Sequence, residues 1–310
     1  MSLASIFTVS TAQTALELGC IYALVALALF LSYTILNIAD LSTDGCFTLG
    51  CAVCCQVTLM GHPILGLFAA MLAGVLSGYI TAFLQTRLGV ESILAGIIVN
   101  TGLYTVNLAV MGFSSTLSIF KADNIFTMAK NTLGLVVGDW YKLILAAVIV
   151  LLVGFLLVGF LKTRLGLSIR ATGDSPDMIK ASSVNPAFTI TVGLCISGAL
   201  TALSGAVLAQ YQKSCDINLG TGMVTIALAS LIIGQTIVGK GGMMRKMLGA
   251  ILGSCLYRLI VAVALRLNVP AECMKLVSAL IVAIAIGSPA LKTYIAKQKN
   301  KASRRGGARC

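Results

Sequence analysis

The chain has 310 residues, of which 58% are hydrophobic and only 10% charged. A soluble domain carries about a quarter charged residues, so this composition excludes an ordinary soluble enzyme, a disordered regulator and a nucleic-acid-binding domain. The formal net charge of +12 is then read by its position along a membrane chain, because basic residues in flanking loops set orientation.

A helix needs about 20 apolar residues to cross a bilayer. Apolar stretches run over 12–36, 45–61, 64–85, 92–113, 141–161, 188–210, 223–239, 247–267 and 271–289. They are continuous, not alternating, which argues against a barrel. The expected fold is all-α: a polytopic transmembrane helical bundle of about 8–10 membrane segments, some of them broken or half helices. One membrane domain covers 1–291, and a basic tail covers 292–310.

The first stretch contains Glu17 and ends in Asn37-Ile38-Ala39-Asp40. No Lys or Arg precedes Arg87, so it reads as a retained helix and not a signal peptide. Near its outer end, Glu17 is expected to snorkel or to sit at the interface. Asp40 and Asp44 flank the first inner turn, where capping of the second segment is the plain role and an inner gate or a contact on the inner face the functional one. The second stretch holds Cys46, Cys51, Cys54 and Cys55 among ten cysteines. It has no second Cys pair, and the only histidine, His62, stands beside Pro63 in a turn. Metal spacing is therefore lacking, and the cysteines read as small apolar helix residues, with no metal site and no disulfide framework.

The stretches 45–61, 92–113 and 223–239 are short or rich in Gly, Ser, Thr and Asn, as interrupted helices lining a transport path are. Asn100, Thr101, Asn107, Gln235 and Thr236 are the candidate path residues, with hydrogen bonding between helices as the plain alternative. The connection 114–140 carries Ile119, Phe120, Ile125 and Phe126, followed by the interfacial pair Trp140-Tyr141. It reads as an anchored surface loop or a docking surface for an external partner.

Loop charges give the orientation. Arg87, then Lys162, Arg164, Arg170 and Lys180, then Lys240, Arg245 and Lys246 fall on the side of the basic tail. Lys121, Lys130, Lys142, Lys213 and Arg266 fall on the other. The tail side is the cytoplasm, which puts the N-terminus outside if there are nine crossings. Two segments echo each other: Ile93-Leu-Ala-Gly-Ile-Ile-Val99 and Ala227-Leu-Ala-Ser-Leu-Ile-Ile233. They run in opposite senses in this topology, as in an inverted-topology repeat. Thr86-Arg-Leu-Gly89 and Thr163-Arg-Leu-Gly166 form a second echo.

In the loop 162–187, Gly173 opens a turn, Asp174 or Ser175 caps a helix, Pro176 fits its first turn and Asp177 complements its positive end. Asn185-Pro186 ends it. The helix of about 176–184 is too short to cross a membrane. Met178, Ile179, Ala181 and Val184 are its apolar members, suited to a groove on a partner or to the bilayer surface. Of the intramembrane charges, Arg258 is expected in a structural ion pair, and Lys275 at the outer interface. Gly239-Lys240-Gly241-Gly242 lacks the spacing of a phosphate-binding loop, and no catalytic or metal motif is present, so the chain is expected to catalyse nothing itself.

That loop, together with Phe188 to Tyr211 and its Ser197-Gly198-Ala199 and Ser204-Gly205-Ala206, resembles the permeases of ATP-binding-cassette importers, in the branched-chain amino-acid and ribose-type branch. Ala15 to Leu24, Asn37 to Gly50 and Ile226 to Gly253 fit the same resemblance, which spans nearly the whole chain. Within the branch the chain looks most like permeases paired with lipoprotein-type binding proteins, some of which handle tryptophan or tyrosine.

The resemblance implies an importer permease in the cell membrane, as a homodimer surrounded by lipid. Cytoplasmic ATPase subunits would carry ATP and Mg, and an extracytoplasmic binding protein would deliver the solute. Asp174, Ser175, Pro176, Asp177, Met178, Ile179, Ala181, Val184 and Asn185 would form the coupling helix against the ATPase. An aromatic amino acid is the first substrate expected, with branched-chain amino acids, sugars and nucleosides as alternatives. A secondary transporter or channel using Glu17 and Arg258 for ion coupling is the rival function, and a membrane scaffold without transport a third.

Overall fold

In the computed structural model, residues 9–120, 122–130, 138–175, 179, 181, 184–239 and 241–266 are described, with 276, 279, 280, 283 and 287. Helix α1, Val9–Leu29, continues as a π-helix, Phe30–Ile35. Then follow α2 (Thr43–Leu59), α3 (Pro63–Thr86), α4 (Ser92–Val110), α5 (Tyr141–Lys162), α6 (Arg164–Asp174), α7 (Pro186–Gln212), α8 (Met223–Val238) and α9 (Met243–Arg266). Six of these are long and apolar enough to cross a membrane: α1 with its π segment, α3, α4, α5, α7 and α9. α2 and α8, at 17 and 16 residues, are about 24–26 Å long against a hydrocarbon core of about 30 Å. The expected shortness of 45–61 and 223–239 is thus seen, whereas 92–113 is a helix of 19 residues with spanning length. The predicted segment 271–289 and the tail lie largely or wholly outside the described residues.

α1 and α7 are the most buried of the spanning helices, and the others expose their outer sides. α1 and α7 run antiparallel: Ser204 Oγ donates to the Ile21 carbonyl at 2.7 Å and Ser197 Oγ to the Ala28 carbonyl at 3.0 Å. Their surroundings repeat. α3 lies antiparallel on α7, with Gly74 against Gly198 and Gly78 against Leu194. α9 lies antiparallel on α1, with Cys255 against Gly19 and Arg266 donating to Thr11 Oγ1. α2 packs on α3 and α7, and α8 on α9 and α1. The lengths match as well: 26 and 27 residues for the central spans, 17 and 16 for the short helices, 24 and 24 for the next.

Because the central pair is antiparallel, the repeat is inverted. Its register differs from the sequence echo: α8 takes the place of α2, not of α4, which contains Ile93 to Val99. Short apolar strings match by composition alone. The second echo also dissolves, because Thr86 ends α3, whereas Thr163 is the N-cap of α6 and accepts from Gly166 N.

The bundle closes on small residues. Cys46 Sγ donates to the Gly198 carbonyl at 3.3 Å and Cys51 Sγ to the Gly205 carbonyl at 3.0 Å. The eight described cysteines are free, and those of α2 are packing residues, as their setting in an apolar run implies. The thiol of Cys215, which interacts with Cys51 and is buried, is held well above the ordinary thiol range and stays a neutral packing group.

One short pairing was not visible in the sequence. β1, Thr116–Ser118, runs antiparallel to β2, Ser214–Asp216, with Leu117 opposite Cys215. It pins the connection after α4 to the end of α7. Ile119 and Phe126 are buried there, while Phe120 is exposed. Asn124 Nδ2 donates to the Gln210 carbonyl, and Gln210 Oε1 accepts from Ile125 N. This part of the loop is therefore docked on the bundle.

Candidate functional site: the junction of the two short helices

α2 and α8 meet by their N-terminal ends inside the bundle. Asp44, in the first turn of α2, accepts from Gly222 N and Val224 N, both at 2.9 Å. Gly222, with φ +86°, is the N-cap of α8 and has no side chain to cap it. Asp44 does so from the neighbouring helix, where the positive helix end favours its charge. Thr48 Oγ1 accepts from Gly220 N at 3.1 Å. Cys46 and Cys51, one and two turns along α2, contact Gly198 and Gly205 in the middle of α7, so the junction lies at mid-depth. Half-helices whose N-termini converge at mid-membrane form the binding sites of transporters.

Asp40 acts locally but does not cap α2, whose N-cap is Ser42 without a side-chain cap: its Oδ1 accepts from Ser42 N at 2.9 Å and Ser42 Oγ at 2.6 Å, closing an Asx-type turn before the helix. Thr81 Oγ1 of α3 donates to Ser42 Oγ at 3.3 Å.

The five candidate path residues divide into separate places. Asn107 is buried, and its Nδ2 donates to the Gly45 carbonyl in the first turn of α2 at 3.1 Å. Its Oδ1 is buried without a hydrogen-bond partner among the described residues. Asn100 borders the same glycine, since a Cβ on Gly45 would lie 2.7 Å from Asn100 Oδ1. Gln235 is elsewhere: its Nε2 donates to Thr34 Oγ1 in the π segment at 3.2 Å. Thr101 and Thr236 are exposed, and each donates to the carbonyl four residues back, Ile97 and Ile232.

Beyond Gln235, a cleft of about 110 Å³ opens among Phe30, Thr34, Ile35, Arg170, Asp174 and Lys246. It joins the π segment to α6. Single turns of π-helix are frequent at functional sites. Here Leu36 N reaches the Leu31 carbonyl and Ile38 N the Ser32 carbonyl. Gly173 packs on this backbone so closely that a Cβ would lie 1.8 Å from the Ile35 carbonyl oxygen. Thr172 and Thr189 hydroxyls, 2.8 Å apart, tie α6 to α7.

The 162–187 loop departs from expectation. Its larger element is α6, capped by Thr163, and Gly173 lies within it without opening a turn. Asp174 ends this helix; it does not begin the next. Ser175 N closes on the Ala171 carbonyl, and the Ser175 carbonyl accepts from Ile179 N. Ile179 is buried, Ala181 is helical and exposed, and Val184 N reaches the Ile179 carbonyl. Asn185 caps α7, accepting from Ala187 N at 3.0 Å, with Pro186 in its first turn. Pro176, Asp177 and Met178 lie outside the described residues.

The intramembrane charges also differ from expectation. Glu17 is 3% exposed and does not snorkel. Its Oε1 accepts from Gln13 Nε2 at 3.0 Å and its Oε2 from Tyr211 Oη at 2.7 Å. Arg258 has no ion pair among the described residues; its guanidinium lies 3.5 Å over the Tyr22 ring, a cation–π contact. Lys275 lies outside the described residues.

Comparison with known proteins places this architecture. The family model of the branched-chain amino-acid transport system, permease component, matches residues 12–286. The chain is 30% identical over 282 residues to the tyrosine transport system permease protein of Clostridioides difficile, covering 91% of this chain and 92% of that protein. It is 27% identical to an autoinducer 2 import system permease protein of Salmonella paratyphi B, over 71% of this chain and 62% of that one. It is 29% identical to the D-allose transport system permease protein of Escherichia coli, over 69% and 64%. No solved structure matches the chain.

Proposed function

Because the chain belongs to the family of permease components of branched-chain amino-acid transport systems, we propose that it forms the translocation path of an ATP-binding-cassette importer for an amino acid, an aromatic one first. It is a transport subunit and a multi-pass membrane protein. One observation carries the reading: two helices too short to cross the membrane meet N-terminus to N-terminus inside an inverted repeat, joined through Asp44. Converging ends of this kind are the form that transporter binding sites take, and here Asp44 holds the positive end of α8. The aromatic choice is supported by likeness to the tyrosine permease. Branched-chain amino acids, sugars and nucleosides follow it.

In this reading a second copy of the chain completes the permease, and cytoplasmic ATPase subunits bind ATP and Mg. An external binding protein delivers the solute, and the tail 292–310 faces the cytoplasm. The segment 174–185 meets the ATPase, and α6 passes its movement to the π segment through Gly173. The ion-gradient alternative needs a relay between Glu17 and Arg258. Glu17 is held by Gln13 and Tyr211 and Arg258 stacks on Tyr22, which favours the importer.

Purification of the tagged chain from native membranes in mild detergent tests the assembly. A stoichiometric ATPase is expected with it. Recovery of the chain alone, still active in ion-driven uptake, would overturn the proposal.

A further inference from the structure

The cleft of about 110 Å³ beside the π segment has three charged side chains in its lining. Arg170 and Asp174 stand one turn apart on α6, and Lys246 belongs to the first turn of α9. Among the described residues none of the three makes an ion pair. The helices that carry them do not explain their places. Asp174 is the last residue of α6 and Lys246 is near the first of α9, each at the end whose dipole disfavours its charge. Orientation accounts for basic residues on a cytoplasmic flank, but it leaves Asp174 unexplained. The rest of the lining is short of charge: Phe30 and Ile35 are buried, and Thr34 Oγ1 accepts from Gln235 Nε2.

Two cations and one carboxylate around so small a space suit a small ligand that carries both signs. A simple anion would leave Asp174 unpaired, and a simple amine would leave Arg170 and Lys246 unpaired. The volume admits the ammonium, α-carbon and carboxylate of an amino acid, and it does not admit a nucleotide. We propose that this cleft binds the zwitterionic head of a free amino acid, with its carboxylate at Arg170 and Lys246 and its ammonium at Asp174. Charge-assisted hydrogen bonds are the strong ones, and a guanidinium offers a carboxylate two parallel donors. The side chain lies outside the cleft, so amino acids are bound here as a class, unlike in the translocation path, where an aromatic one is preferred. The proposal rests on the importer reading for the source of its ligand, the solute released on the side of α6.

The test is equilibrium binding of labelled L-alanine and L-tyrosine to the full-length permease in detergent, without ATPase or binding protein. Both are expected to bind, with similar affinity. Ethylamine, which lacks the carboxylate, propionate, which lacks the ammonium, and inorganic phosphate are each expected to compete at least about tenfold less well than L-alanine. Arg170→Gln and Asp174→Asn are each expected to weaken binding at least about tenfold. Both side chains are exposed, so the fold does not depend on them. Arg245→Gln, outside the lining, is expected to leave binding unchanged. Absence of binding by the wild type would overturn the proposal. So would propionate or phosphate competing as well as L-alanine, the mark of a simple anion site. Binding of L-tyrosine without L-alanine, or binding that survives both substitutions, would put the amino acid in the path and overturn it too, as would an equal loss in Arg245→Gln. No uptake enters the measurement, so an importer of another solute leaves its result standing, and loss of binding leaves the importer reading standing.

Discussion

Asp44→Ala is expected to abolish uptake and to lower stability by about 3 kcal/mol. The carboxylate accepts two backbone N–H groups at the start of α8, from Gly222 and Val224. Alanine leaves both donors without their partner inside the bundle. Each such loss costs about 1–3 kcal/mol, and loss of the charge at a helix N-terminus adds about 0.3–1 kcal/mol. The local consequence is larger than the global one, because among the described residues the side-chain cap on α8 comes from α2: Gly222 has no side chain, and the next contact is Thr48 to Gly220. Without Asp44 the two short helices separate where the solute is expected to pass. Asp44→Asn keeps one acceptor and is expected to fall about halfway in stability. Unfolding midpoints in detergent and uptake of labelled tyrosine in proteoliposomes read the two effects. Wild-type uptake by an assembled Asp44→Ala permease would remove the junction from the path.

Gly173→Val is expected to separate ATP hydrolysis from uptake. In the wild type, α6 touches the π segment backbone to backbone. An added Cβ would meet the Ile35 carbonyl oxygen at 1.8 Å and the Leu36 Cα at 3.0 Å. Neither is the end of a flexible side chain, so the contact relaxes only by moving α6 away from α1. That movement also strains the Thr172–Thr189 hydrogen bond. Insertion and ATPase binding are expected to persist, since the exposed side of α6, with Leu165 and Leu167, is untouched. Uptake should fall at least about tenfold, a barrier change of about 1.4 kcal/mol, while hydrolysis continues. Gly159→Val in α5, where a Cβ meets nothing within 4 Å, is the control. Unchanged uptake in Gly173→Val, or loss of uptake and hydrolysis in equal measure, would contradict coupling through this contact.

What was legible in the sequence follows from range. Continuous apolar runs mark helices because the bilayer imposes their length, and eight of the nine predicted stretches coincide with described helices. The short spans 45–61 and 223–239 were visible for the same reason. That Asp40 acts locally was readable because its partner, Ser42, is two residues away, although it closes a turn before α2 and does not cap it. That of Asp44 was not, because its partners are 178 and 180 residues away. Glu17 looked interfacial by its place near the end of a span, whereas Tyr211, contributed from α7, makes burial tolerable. α6 was missed because an amphipathic helix of 11 residues resembles a polar loop in composition. The π segment has no sequence signature of its own. The repeat was sensed but misregistered, because its signal lies in the order, length and direction of helices and not in matched residues.

The central claim is that this chain is the path of an importer driven by a separate ATPase. Its most direct test is uptake of labelled tyrosine, tryptophan and leucine into proteoliposomes holding the permease, the ATPase that co-purifies with it and the external binding protein. The account predicts uptake that requires all three components and ATP, with an aromatic amino acid preferred. Uptake by the permease alone, driven by an ion gradient and indifferent to ATP, would contradict it.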